Sequence, residues 1–114
     1  MVGCTSLSNE ADMNAEVRNN KTDYRYEVWA DGELAGYTQY ALLRGRIVFL
    51  HTEVYESFEG MGLGGRLAHL ALDDARARGL VVVPYCPFIA GYIKRHVDEY
   101  RDLVAPEMLR GDQL

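Results

Sequence analysis

The 114-residue sequence contains few cysteines, few prolines and no excess of positive charge. Its two cysteines, Cys4 and Cys86, are far apart and do not suggest a disulfide framework. Lys and Arg number 12 against 17 Asp and Glu, so the formal net charge is −5. Because a nucleic-acid-binding surface needs clustered basic residues, we expect no nucleic-acid partner.

Long apolar runs are also missing. The longest, residues 80–84, is far too short to cross a bilayer, which takes about 20 residues. The first residues lack the basic and apolar segments of a secretion signal. We therefore expect a cytoplasmic protein without a membrane partner. The length allows one hydrophobic core and therefore one domain.

The pattern of the chain changes near residue 23. Residues 1–23 are polar and aperiodic, which predicts a mobile tail, and residues 24–114 are predicted to form the single domain. Alternating apolar residues begin at Tyr24 and predict a strand. Gly32 and Gly45 each follow a polar residue between strand-like segments and predict tight turns. Three antiparallel strands result.

The third predicted strand, residues 46–54, ends in polar residues. Strict alternation places His51 and Glu53 on the same face as Phe49, and Thr52 and Val54 on the other. A strand that is apolar on both faces and ends in polar groups is a suitable place for a site. The same pattern also fits a buried strand whose end meets water.

A helix, a strand and a second helix follow. Helical spacing of apolar residues predicts the first helix over residues 62–78, ending at Gly79. The apolar run at residues 80–84 predicts a central strand, and Pro87 is suited to the first turn of a second helix over residues 87–96. The order β-β-β-α-β-α predicts an α+β fold with a small, mixed, mostly antiparallel sheet.

The segment between the third strand and the first helix is rich in glycine and can bind an anion. It is Gly60-Met61-Gly62-Leu63-Gly64-Gly65. Glycines permit close approach, and the free amides at a helix start bind phosphate oxygens. Arg66 can add a charge-assisted contact.

Two other phosphate sites are disfavoured. A dinucleotide site needs a βαβ unit with an acidic residue after the next strand, and here Pro84-Tyr85-Cys86 follows that strand. A nucleotide P-loop needs Gly-Lys-Ser/Thr, which is missing from this segment. A plain strand-to-helix turn stays open as the alternative.

Together with its neighbours, this segment resembles the pyrophosphate-binding motif of the GNAT superfamily of acetyltransferases. In that motif a Gln or Arg stands three residues before Gly-x-Gly. In this sequence Glu59 occupies that position, and its carboxylate cannot donate a hydrogen bond to a phosphate. The resemblance extends over residues 24–104 and is to the minimal GNAT-like proteins of about this length. It rests on His51-Thr52-Glu53-Val54, the glycine segment, residues 71–76, Pro84-Tyr85-Cys86-Pro87-Phe88, Tyr92 and Arg95-His96.

The resemblance implies a sheet whose central strands splay apart, with acetyl-coenzyme A in the gap. The pantetheine arm would follow the backbone of Thr52 and Val54, and the pyrophosphate would lie on the segment from Gly60 to Arg66. Acetyl transfer to an amine of a small molecule or a protein is implied, by a monomer or weak homodimer. The alternative is a non-catalytic module that senses acyl-CoA.

Transfer to an amine requires a donor to the developing oxyanion and proton transfer at both the amine and the thiolate. The resemblance implies the Val54 amide as the oxyanion donor and Cys86 as a catalytic residue, either nucleophile or acid. A buried structural cysteine stays open. His51 and Glu53 can relay the amine proton, and Tyr92 can protonate the thiolate, although each also has an ordinary packing explanation.

Two further expectations concern basic and metal-binding residues. Lys94, Arg95 and His96 are candidate contacts to the adenosine 3′-phosphate. We expect no metal site, because the three histidines have no ligand spacing with either cysteine.

Overall fold

A computed structural model of the chain describes residues 14–109. Cys4 and the first part of the predicted tail lie outside the described residues. The elements in chain order are β1 (Ala15–Asn20), β2 (Arg25–Ala30), β3 (Glu33–Leu43), β4 (Arg46–Val54), α1 (Leu63–Ala77), β5 (Val81–Pro84), α2 (Pro87–Arg95) and α3 (Val97–Tyr100). Short 3-10 turns occupy Glu56–Phe58, Arg101–Leu103 and Pro106–Leu109.

The five strands form one sheet in the order β1-β2-β3-β4-β5. The first four pair antiparallel, and β5 pairs parallel to β4. The sheet is therefore mixed and mostly antiparallel, and the α+β class is confirmed. No described helix has the length and hydropathy needed to cross a membrane.

Strand β1 corrects the predicted tail. Its six residues pair with β2 from Ala15↔Ala30 to Asn20↔Arg25. The alternation was hidden because the strand is polar and none of its residues is fully buried. Its polar side chains contact β2 instead, as Arg18 does by lying 4.9 Å from the centroid of the Trp29 ring.

Helix α1 covers one face of the sheet. Its buried residues are Leu63, Leu67, Ala68, Ala71, Leu72 and Ala75. The three alanines let the helix approach the sheet closely, and each buried leucine contributes about 1.5 to 3 kcal/mol. The hydroxyl of Tyr26 donates to Asp74 Oδ2 at 2.5 Å and ties β2 to α1.

A bulge in β4 corrects the predicted strand faces. Gln39 pairs with His51 and Tyr40 with Phe49, so Leu50 has no partner across the ladder. One extra residue reverses the alternation beyond it. His51 therefore lies on the face opposite Phe49, whereas the sequence predicted the same face.

The β4–β5 ladder is short, and the two strands part beyond it. Pairing runs from Arg46↔Val81 to Phe49↔Pro84, and residues 50–54 extend past the end of β5. The amide of Cys86 donates to the Phe49 carbonyl at 2.9 Å, and beyond Phe49 the described strand pairing between them stops. The predicted splay of the central strands is thus confirmed.

Candidate active site

An open pocket of about 310 Å³ lies where β4 ends, α1 begins and α2 passes. It brings together seven of the residues predicted for cofactor binding or catalysis, the predicted 3′-phosphate contact Arg95 and three others. The lining residues are Val54, Phe58, Glu59, Gly60, Gly62, Leu63, Gly64, Gly65, Phe88, Tyr92 and Arg95.

The glycine segment turns sharply into α1. Gly60 and Gly62 have φ of +85° and +75°, a region that favours glycine. The first helical hydrogen bond runs from the Arg66 amide to the Gly62 carbonyl at 3.2 Å, and no side chain caps the helix. The amides of Leu63 to Gly65 therefore have no acceptor one turn back, and their hydrogens are available to an anion.

Gly64 also serves packing, whereas Gly65 has room for a side-chain carbon. A Cβ on Gly64 would lie 2.8 Å from Phe88 Cζ, and one on Gly65 would lie 3.9 Å from Tyr92 Cε1. Helix α2 can thus lie across the first turn of α1 and bring two aromatic rings into the pocket. Sequence reasoning did not identify Phe88 as a pocket residue; its place in the first turn of α2 was the available signal.

Tyr92 lines the pocket, and its hydroxyl is protonated at neutral pH. Burial raises the pKa of Tyr92, and the carboxylates of Glu99 and Asp73 raise it further. The ring stacks on His96 with centroids 4.2 Å apart, which fixes its orientation. At neutral pH this phenol is therefore a proton donor.

Cys86 lies in the gap between β4 and β5 but does not line the pocket. It is 2% exposed, and its sulfur lies 3.0 Å from the Thr52 hydroxyl. That hydroxyl donates to Thr38 Oγ1 at 2.9 Å. Within residues 14–109, no imidazole or carboxylate is hydrogen-bonded to the thiol, so the described contacts supply no base to activate it.

His51 and Glu53 lie together on the other face of β4. Their side chains are 63% and 49% exposed, with His51 Nε2 3.7 Å from Glu53 Oε1. The Tyr37 hydroxyl donates to the same carboxylate oxygen at 3.3 Å. The 3.7 Å separation is longer than a hydrogen bond, and both side chains lie outside the pocket that Tyr92 lines.

Charged residues flank the glycine segment on two sides. Glu59 and Arg95 both line the pocket, and within the described part of the chain neither forms an ion pair. Met61 is 42% exposed, and the Arg66 side chain is exposed; neither lines the pocket. Among the described residues, Arg95 is thus the cation that lines this pocket together with the glycine segment.

A splayed mixed sheet with a glycine-led helix at the parting of the strands defines a GNAT-type domain. A model of the family described as GCN5-related N-acetyltransferase matches residues 25–103. The chain belongs to this family.

One similar solved structure, determined by NMR in solution, is a GCN5-like protein from Staphylococcus aureus that carries a provisional N-acetyltransferase name. It shares 19% identity with a TM-score of 0.61, covering 89% of this chain and 98% of that one. At this identity the likeness shows the fold alone. No curated protein matches the chain.

Proposed function

We propose that the protein is an N-acetyltransferase that uses acetyl-CoA and an amine of a small molecule or a protein. One observation carries the proposal: the end of β4 at Val54, the glycine segment at the start of α1 and Tyr92 line one pocket. Acetyl-CoA, when bound, supplies the activated acetyl group. The chain must then hold it, stabilise charge and move two protons.

The donor groups suit a pantetheine and a pyrophosphate. Beyond Phe49 the backbone of β4 lacks a β5 neighbour, so Thr52 and Val54 can pair with the amides of a pantetheine arm. The free amides of Leu63 to Gly65 at the start of α1 can donate to the phosphates, aided by the helix dipole.

Arg95 offsets the repulsion between Glu59 and a phosphate group. The Glu59 carboxylate repels phosphate, and the guanidinium of Arg95 lines the same pocket from α2. A guanidinium makes bidentate hydrogen bonds with phosphate oxygens. We therefore assign Arg95 to the pyrophosphate.

The proton steps divide between the two faces of β4. The Val54 amide donates to the acetyl oxygen as it gains negative charge, and Tyr92 gives its proton to the departing sulfur. Glu53 accepts the proton that the amine loses, with His51 3.7 Å away to pass it to solvent. Cys86 supports the gap through Thr52.

A non-catalytic acyl-CoA sensor is the second candidate. Two observations favour it: the buried thiol of Cys86 has no base among its described contacts, and His51 and Glu53 lie on the face away from the pocket. A sensor would bind acetyl-CoA without turning it over.

The test measures release of free CoA thiol with a panel of amines and lysine peptides. Tyr92→Phe should lower kcat by about 100-fold, because it removes the acid while leaving the ring in place. Tyr85→Phe is the matched control, since Tyr85 is 65% exposed and does not line the pocket. Tight binding with no release for any amine would overturn the enzyme and support the sensor.

A further inference from the structure

Three side chains of metal-binding type lie together where α3 meets α1. His69 and Asp73 lie one turn apart on α1, and Glu99 lies on α3. One ligand atom from each of the three lies within 4.8 Å of the other two. None of them lines the pocket beside the glycine segment, so this cluster is separate from the candidate active site.

The distance between His69 and Asp73 fits two ligands of one metal ion. His69 Nε2 lies 3.1 Å from Asp73 Oδ2. Nitrogen and oxygen ligands bind Zn²⁺ at about 2.0 to 2.2 Å, so two of them in a tetrahedral arrangement lie roughly 3.3 Å apart. A proton on Nε2 occupies the same space, and a metal ion displaces it on binding. The two side chains are 46% and 45% exposed, so the ion can enter from solvent.

A buried tyrosine from outside the three ligands holds the His69 ring. Tyr100 is 0% exposed, and its hydroxyl lies 2.9 Å from His69 Nδ1. The same hydroxyl donates to Asp73 Oδ1 at 3.3 Å. When Nε2 binds a metal, Nδ1 carries the ring proton and can donate it to the Tyr100 oxygen. A histidine that binds a metal is almost always held by such a partner on its other nitrogen.

The charges of the cluster suit a divalent cation. A ligating imidazole is neutral, so the Asp73 and Glu99 carboxylates together balance a divalent ion. Among the described residues, the Glu99 carboxylate forms no ion pair. The guanidinium of Arg76 pairs instead with Asp102 at 3.0 Å and donates to the Glu99 main-chain carbonyl at 2.7 Å. A divalent ion therefore neutralises two carboxylates that repel each other in its absence.

We propose that His69, Asp73 and Glu99 bind a divalent transition-metal ion of the Zn²⁺ type. An imidazole ligand favours such ions over Mg²⁺ and Ca²⁺, which prefer oxygen ligands alone. Three protein ligands leave a fourth position for water. The ion joins α1 to α3 and stabilises the fold, and the inference does not depend on acetyl transfer. The expectation of no metal site concerned spacing between histidines and cysteines, whereas His69 is partnered by carboxylates from two helices.

Titration of the full chain with Zn²⁺ tests the site. The chain carries Cys4→Ser, which removes a competing thiol, and binding is followed by calorimetry. One Zn²⁺ should bind per chain. Thermal unfolding should shift upward by roughly 10 °C when free metal exceeds the dissociation constant about 100-fold, and EDTA should reverse the shift. Mg²⁺ and Ca²⁺ should bind at least about tenfold more weakly.

Two variants with matched controls assign the ligands. Glu99→Gln and His69→Ala should each weaken Zn²⁺ binding at least about tenfold, because loss of even an outer-shell partner costs that much. Asp98→Asn removes the same charge from the adjacent exposed residue, and His51→Ala removes an exposed histidine that lies 3.7 Å from Glu53; both should bind like the parent chain. Circular dichroism checks that each variant is folded. No saturable binding by the parent chain, or equal binding by Glu99→Gln and Asp98→Asn, would overturn the site and leave the transferase proposal untouched.

Discussion

The Cys86 sulfur lies 3.0 Å from the Thr52 hydroxyl, and this contact joins β4 to the end of β5 where the two strands part. The Thr52 hydroxyl in turn donates to Thr38 on β3. A row of three polar side chains, with Thr52 half-buried, thus holds the wall of the gap. Thr38 and Cys86 are buried, so each needs the partner that the row provides.

Replacing Cys86 with alanine should therefore affect stability more than catalysis. We expect the free energy of unfolding to fall by about 1 kcal/mol through loss of one hydrogen bond. The rate of acetyl transfer should fall by less than tenfold. Chemical denaturation and thiol release measure the two effects. A 100-fold loss of rate, or an acetyl group on Cys86 found by mass spectrometry, would instead make Cys86 the nucleophile.

Gly36 is required where β3 meets the end of β4. It pairs with Val54, and a Cβ at this position would lie 2.5 Å from the Glu53 carbonyl oxygen. Gly36→Ala should cost about 1 to 3 kcal/mol in unfolding free energy, because the backbone must move. The displaced end of β4 should also weaken acetyl-CoA binding in calorimetry.

Gly91 provides the control for Gly36→Ala, because there is space for a Cβ at this position. A Cβ on Gly91 would lie 3.5 Å from Arg95 Nη1, an ordinary contact, inside α2. Gly91→Ala should raise the unfolding free energy by about 0.5 to 1 kcal/mol. Equal destabilisation by both alanines would contradict the assignment of strain to the β3–β4 contact.

Arg95→Gln should weaken binding of CoA and of 3′-dephospho-CoA alike, by about three- to tenfold for an exposed charge pair. Binding of pantetheine, which lacks the pyrophosphate, should be unchanged. Glu59→Gln should act in the opposite direction by removing repulsion. Competition calorimetry with the three ligands makes the comparison. A loss confined to CoA would move Arg95 to the 3′-phosphate.

Glu27 should make stability depend on acid pH. It is 6% exposed; burial acts to raise its pKa, but hydrogen bonds from Asn20, Arg25 and Trp29 outweigh burial and hold the pKa below 4.5. A lowered folded pKa adds stability above the unfolded pKa, and that stability is lost as pH falls through the folded pKa.

Glu27→Gln should therefore lower the unfolding free energy by about 1 to 3 kcal/mol at pH 7, and by less at pH 3. Denaturant titrations at both pH values test this. The exposed Glu33 provides the control Glu33→Gln, with an expected change within about 0.5 kcal/mol. If Glu27→Gln lowers the unfolding free energy by the same amount at pH 3 and at pH 7, the shape of the side chain and not its charge is responsible.

The features of the fold that depend on local sequence pattern were predicted from the sequence. Alternation, turn glycines and helical spacing indicated four of the five strands and helices α1 and α2, and the motif resemblance indicated the splay. Strand β1 was missed because its residues are mostly polar and none is fully buried. The bulge at Leu50 was missed because an inserted residue leaves no mark on a strand that is apolar on both faces.

The composition of the pocket depends on tertiary contacts. The sequence indicated the glycine segment, Val54 and Tyr92, because motif and helix spacing place them. The approach of Phe88 to Gly64 and the entry of Arg95 beside Glu59 follow from how α2 crosses α1, which no local pattern encodes. The same holds for the contact of Tyr100 with His69 across 31 residues of chain.

Calorimetric titration with acetyl-CoA tests the central claim most directly. The native chain should bind it with micromolar affinity, and Gly62→Val should weaken binding by at least about tenfold, because a side chain is strained at this φ and crowds the amides. Gly45→Val is the matched control, since Gly45 has φ +83° in a turn that does not line the pocket; it should bind like the native chain. No binding by the native chain, or native affinity in a folded Gly62→Val, would contradict a cofactor site at the start of α1.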